Sequence, residues 1–203
     1  MRPHDQPYAL KDAALKAARL EMLGNSTTAK LTQFVEAIRA ENDLGADVPY
    51  FDPCDGGTSA TTLLLLEAPG KQAVLSGFVS RNNPDPTARN LCELMRDAGL
   101  RRETTVIWNI VPWYIGTSDK RKIAPPKSED LRKSRPYLFR LLDLLTGLEN
   151  AVLVGRKAQV VADDLKSRGR LKVLETFHPS ARVFNMWPDK KRHFINTMEA
   201  VRS

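Results

Sequence analysis

The sequence predicts an α/β fold, a three-layer α/β/α sandwich around a four-stranded parallel sheet. Three observations predict it. Apolar runs of strand length recur without the alternation of a half-wetted strand, so both their faces are covered. Segments with helical spacing separate those runs. Gly, Pro and Asp punctuate the boundaries. The 203 residues, 42% of them apolar, are enough for one domain with a real core.

Residues 10–23, LKDAALKAARLEML, carry helical spacing and stop at Gly24-Asn25. Ser26 or Thr27 can cap a second helix that runs to about Arg39 or Ala40. These helices make an N-terminal extension, at about residues 1–45, of a single domain spanning 1–203. Residues 43–60, DLGADVPYFDPCDGGTSA, read as loop. The first strand is the apolar run from Thr62 to Leu66. ETTVIWNIVPW at 103–113, NAVLVG at 150–155 and RLKVLETFHPS at 170–180 are the other three. Helical segments lie near 86–98, 128–146 and 156–168, with a last one at about 189–202. No internal repeat or low-complexity tract is visible.

Bulk properties remove several classes. No apolar run approaches the roughly 18 residues that a membrane span needs. The first residues, MRPHDQPYAL, lack the features of a secretory signal, so a cytoplasmic protein is expected. Cys54 and Cys92 form no CxxC pair and read as reduced thiols; two such ligands complete neither a zinc nor an iron–sulfur site. There is no GxGxxG, no GxSxG elbow and no HExxH, and Gly70-Lys71 is not a P-loop. The net charge of +7 is unevenly spread. Residues 1–100 hold 10 Lys/Arg against 13 Asp/Glu, and residues 101–203 hold 21 against 11. A one-sided basic excess suits a polyanionic partner, although many basic proteins bind none.

Open α/β sheets bind ligands beyond the carboxyl ends of their strands. Glu67 follows the first strand, Asn109 ends the second and His178 follows the fourth, so this topology brings them to one edge. Pro179 fixes the backbone after His178. Ser180 and Arg182 follow at a helical turn, a hydroxyl and a guanidinium suited to phosphate. An amide such as Asn109 offers a donor and an acceptor together, as reading a pyrimidine edge requires. Singly, each residue also has an ordinary structural role: a strand-end carboxylate in water, a satisfied core amide, a strand-end histidine.

LLEAPG, SGFVSRNNPDPTARNL, WNIVPWY and HPSAR, in that order over roughly residues 50–185, resemble the uracil-DNA glycosylase superfamily. EAPG is similar to the water-activating first motif of its iron–sulfur-containing branch, and HPSAR to the motif whose histidine faces uracil. That branch holds its cluster with four cysteines, so the resemblance implies a cluster-free relative needing no metal or organic cofactor. It implies a glycosylase that hydrolyses the N-glycosidic bond of uracil, or a related deaminated base, flipped out of DNA. Glu67 would orient water and offset the cationic sugar, and His178 would donate to the departing base. Ala68, Pro69 and Gly70 would border the base, Phe78 would stack on it and Asn109 would read its edge. Ser180 and Arg182 would hold DNA.

The long basic stretch 112–130 adds Lys120, Arg121 and Lys122 as candidate phosphate contacts; a solvated charged loop is the simpler account of them. Asn82, Asn83 and Asp85 are candidates for the pocket wall, or plain turn residues beside Pro84 and Pro86. The expected partner is DNA with a damaged base, bound by a monomer without membrane association. Two rival classes remain open: a catalytically inactive nucleic-acid-binding protein on the same fold, and an enzyme of free nucleosides.

Overall fold

The computed structural model describes residues 5–202. In chain order its elements are α1 (Ala13–Glu21), α2 (Ala29–Asn42), β1 (Tyr50–Phe51), β2 (Thr62–Leu66), α3 (Lys71–Ser76), β3 (Phe78–Val79), α4 (Pro86–Asp97) and β4 (Thr105–Asn109). After these come α5 (Ser128–Leu144), β5 (Asn150–Val154), α6 (Arg156–Gln159), α7 (Ala162–Ser167), β6 (Lys172–Thr176), α8 (Ala181–Met186) and α9 (Pro188–Glu199). Four strands form one parallel sheet in the order β4-β2-β5-β6, flanked by helices.

The leucine run owes its lack of alternation to burial on both faces: Leu63, Leu64 and Leu65 have no exposed surface. β4 and β5 are buried along their whole length, while β6 is an edge strand with partial exposure. The register sets Leu66 beside Asn109 and Val154 beside Thr176, which aligns the carboxyl ends of all four strands on one edge. α2 packs onto the core through Leu31, Phe34, Val35 and Ile38. Phe51 lies flat on Trp108, with ring centroids 3.8 Å apart and planes at 9°.

Local chemistry fixes several element starts. Asp12 caps α1 by accepting from the backbone N–H groups of Ala14 and Leu15. Asp85 caps α4 in the same way, with Pro86 in the first turn. The second helix starts later than expected. Its cap position is Thr28, whose hydroxyl donates back to the Met22 carbonyl instead of capping the helix. The expected helix at 156–168 is two short helices broken at Val160 and Val161. Residues 43–60 are not all loop, since β1 pairs in parallel with β3 in a separate two-stranded sheet. Two-residue strands carry too little periodicity to be read from sequence. Residues 1–4 of the expected N-terminal extension lie outside the described residues.

A buried charge network ties the start of the chain to the sheet. Arg102 reaches Asp5, Asp52 and Asp55, while Arg19 reaches Asp52 and Asn82. Arg81 pairs with Asp5, and Ser80 donates to Asp52. Two guanidinium groups beside Asp52 hold its carboxyl below the usual range, against its burial. Asp55 goes the other way: burial and the neighbouring Asp52 charge push it up to about 7. No helix among the described residues is long and apolar enough to cross a membrane.

Candidate active site

A cavity of about 410 Å³ opens at the carboxyl edge of the sheet. Its walls come from stretches distant in sequence. Ala68, Pro69 and Gly70, where the chain turns from β2 into α3, line it, as does Asn109 at the end of β4. Asn83, Asp85, Pro86, Thr87, Ala88 and His178 line it as well. Tyr114, Lys120, Arg121 and Ile123 come from the segment after β4. This volume falls in the range of small-ligand sites, about 300–1,000 Å³.

Gly155 organises the catalytic candidates. It follows β5, the strand between β2 and β6, at φ +91° and ψ 159°, a region that side chains disfavour. A Cβ placed there would lie 3.4 Å from Glu67 Oε1 and 3.4 Å from the Cβ of His178. Glu67 and His178 are therefore neighbours across the bare backbone of Gly155, no farther apart at those atoms than twice that distance. His178 is on the cavity wall; Glu67, half-buried, sits in the chain between the wall residues Leu66 and Ala68. Burial lowers the imidazole's proton affinity, and the Glu67 and Asp85 carboxylates oppose that shift only in part. His178 is neutral at pH 7.

Two wall residues carry unsatisfied amide atoms. Asn109 is 3% exposed, and its Nδ2 has no hydrogen-bond partner. Asn83 is also 3% exposed; its Nδ2 donates to the Phe78 carbonyl at 2.9 Å, and its Oδ1 has no partner. A buried unpaired polar atom costs about 1–3 kcal/mol, and both of these belong to residues of the cavity wall.

Phe78 departs from the expectation that it stacks on a base. Its ring has no exposed surface, is tilted against Tyr50 at 6.5 Å and is absent from the cavity wall. The cause is β3: pairing with β1 turns Phe78 into the interior. The ring on the wall is Tyr114, whose hydroxyl donates to the Lys122 carbonyl at 3.0 Å.

The basic candidates divide. Lys120 and Arg121 reach the cavity, but Lys120 pairs with Asp47 at 2.5 Å and lies over the Tyr114 ring, and Arg121 faces Asp119 at 3.4 Å. Lys122 is exposed and lines a neighbouring depression instead. The segment closes on itself where Gly116 bridges Ile123; a Cβ on Gly116 would stand 2.1 Å from the Lys122 carbonyl oxygen. Ser180 caps α8 by accepting from Val183 N–H, and Arg182 is exposed.

Sequence reasoning missed three contributors. Gly155 gave no motif. Tyr114 lay inside the quoted WNIVPWY yet drew no attention. Asn90, inside the quoted PTARN, donates to the Pro179 carbonyl at 2.9 Å and so ties α4 to the loop that carries His178.

A four-cysteine cluster does not fit this chain. Cys54 and Cys92 are free thiols, and no group of three or more His, Cys, Asp or Glu among the described residues could hold a metal ion.

These features define a parallel α/β protein with a ligand cleft at its carboxyl edge, where an acid, an amide and an imidazole gather. The sequence model of the Uracil DNA glycosylase superfamily matches residues 55–202, and the chain belongs to that superfamily. The crystal structure of wild-type SMUG2 from Pedobacter heparinus is similar at 15% identity and a TM-score of 0.52, covering 87% of this chain and 83% of that one. The solution structure of a candidate uracil DNA glycosylase from Methanosarcina acetivorans aligns at 13% identity and a TM-score of 0.48, over 72% of this chain and 93% of its own. No curated protein sequence matches.

Proposed function

We propose that this protein is a monofunctional DNA glycosylase that removes uracil, or a related deaminated base, from DNA and leaves an abasic site. The observation that carries the reading is the meeting of Glu67 and His178 at Gly155, beside a cavity with the unpaired amide of Asn109 on its wall.

The chemistry follows from those positions. A base inside a duplex is out of reach, so the target nucleotide is extruded into the cavity. Asn109 Nδ2 donates to a carbonyl on the edge of the base. Breaking the bond between C1′ and the base nitrogen leaves positive charge on the sugar and negative charge on the base. His178, neutral because burial disfavours its proton, donates an N–H to the base oxygen where that charge grows. Glu67 faces the cationic sugar and orients a water whose oxygen bonds to C1′. The proton shed by that water balances the charge on the departing base.

Ala68, Pro69 and Gly70 bring backbone close to the base without bulk. Tyr114 takes the stacking role expected of Phe78. Ser180, Arg182, Lys120, Arg121 and Lys122 serve the strand outside the pocket, with Lys120 exchanging Asp47 for phosphate. The enzyme works as a cytoplasmic monomer built as one domain with an N-terminal helical extension.

A duplex carrying one uracil, incubated with the protein and then treated with alkali, tests the reading. Strand scission at the uracil is expected. Binding without scission points to a nucleic-acid-binding protein, and base release from free nucleosides alone points to a nucleoside enzyme.

A further inference from the structure

Exposed apolar side chains gather where the edge strand β6 leaves the sheet. Phe177 is 37% exposed, Trp187 44% and Met186 55%. Lys190 Nζ lies 3.7 Å from the ring centroid of Trp187 and 5.0 Å from that of Phe177, so one cation holds both rings at the surface. Phe177 also packs its ring at 71° against His193, centroids 5.2 Å apart. Arg182, Lys191 and Arg192 are exposed on the same two helices. None of these three, nor Lys190, makes an ion pair among the described residues. Phe177 immediately precedes His178 of the cavity wall.

We propose that Phe177, Trp187 and Lys190 form a stacking platform for an unpaired nucleotide of a DNA strand, outside the cavity that takes the target base. Exposed aromatic rings with a lysine over both, on a stretch whose neighbouring Arg182, Lys191 and Arg192 are exposed, match single-stranded nucleic acid, whose bases offer π-faces and whose phosphates require positive charge. Cation–π contacts fix the rings before binding, so little side-chain freedom is lost when a base stacks. The charge sign selects the occupant: a purely apolar protein partner would gain nothing from the Lys190 ammonium held over both rings, or from the exposed Arg182, Lys191 and Arg192 of the adjoining helices. DNA as the partner rests on the reading above; Phe177 adjoins His178 in the chain, whereas Trp187 and Lys190, the positions varied below, have no assigned part in the chemistry.

Trp108 and Trp113 are 1% and 9% exposed, so quenching of tryptophan fluorescence by an oligonucleotide reports on Trp187. The full chain is titrated with uracil-free oligothymidylate about a dozen nucleotides long. Quenching is expected in the wild type and lost in Trp187→Phe. By fluorescence anisotropy of a labelled oligonucleotide, Trp187→Ala should bind about tenfold more weakly, and Trp187→Phe within about threefold of wild type. Lys190→Gln should lower the salt dependence by about one counterion. Leu20→Ala, an exposed apolar position on α1, should change nothing. Absent quenching in the wild type, or unchanged affinity in Trp187→Ala, overturns the platform; should Trp187→Ala fail to fold, the wild-type and Trp187→Phe titrations still decide. Uracil excision is measured in parallel. Excision without quenching sinks the platform alone, and quenching without excision sinks the glycosylase reading alone.

Discussion

Glu67 Oε1 and the Cβ of His178 each stand 3.4 Å from the point that a Cβ on Gly155 would occupy. Three parallel strands meet in that relationship, because β5 lies between β2 and β6 and ends in a residue without a side chain. Gly155→Ala should therefore act twice. Its φ of +91° strains any other residue, at about 1–3 kcal/mol. The added methyl also presses on the acid or the imidazole. The expected outcome is a lowered Tm together with an excision rate that stays depressed at temperatures where the variant is fully folded. An unchanged rate in the folded variant would show that the contact at Gly155 has no part in the chemistry.

Glu67→Gln keeps the shape at that contact and removes the charge. If the carboxylate acts only on the cationic sugar and its water, turnover should fall by about 10²–10³ while DNA affinity holds. Single-turnover excision and equilibrium binding separate the two. Equal losses in both would place Glu67 in binding rather than in the chemical step.

The architecture was legible because burial leaves a mark on composition. Leu63 to Leu65 are apolar without alternation since helices cover both faces of the sheet, and that pattern is visible without coordinates. The strand-end position of Glu67, Asn109 and His178 followed from topology. What stayed hidden was relational. Phe78 is aromatic and follows the first motif, but only the pairing of β1 with β3 turns it inward. Gly155 matters for the side chain it lacks, and a single glycine after a strand carries no signature. Asn83 sits among turn residues, and its unpaired oxygen exists only in the folded wall.

Asn83 and Asn109 present complementary atoms, an acceptor and a donor, on residues that share one cavity. Uracil offers a carbonyl oxygen next to a ring N–H, the acceptor and the donor that these two amides require; cytosine offers an amino group next to a bare ring nitrogen, the same two functions in exchanged order, so the spatial order of the two amides is what separates the bases. Asn109→Asp should weaken uracil excision and admit cytosine. Asn83→Ala should reduce the preference for uracil over cytosine about tenfold, the cost of one lost hydrogen bond. Selectivity is measured as the ratio of excision rates from duplexes that differ only at the target base. Unchanged ratios in both variants would mean that another part of the wall reads the base.

Asp55 gives the fold a dependence on pH that can be isolated. Burial, opposed by the Arg102 guanidinium and helped by the Asp52 charge, raises its carboxyl from an ordinary 3.8 to about 7. The folded state thus holds this proton more tightly than the unfolded chain does. Its contribution to stability is greatest below the unfolded value and falls as pH rises towards about 7, above which it is constant. Asp5 and Asp52, both lowered, act in the opposite sense at the acid end, where their protonation removes stability. Asp55→Asn keeps an oxygen that can accept from the Arg102 guanidinium, which lies 2.8 Å away in the wild type, and has no proton to lose. Between pH 4 and 7 the stability of Asp55→Asn should therefore rise relative to wild type, read as a difference in urea midpoint at each pH. Subtracting the two curves cancels the other carboxylates. A flat difference across that window would mean that Arg102 keeps Asp55 ionised throughout and that the buried network is fully charged at neutral pH.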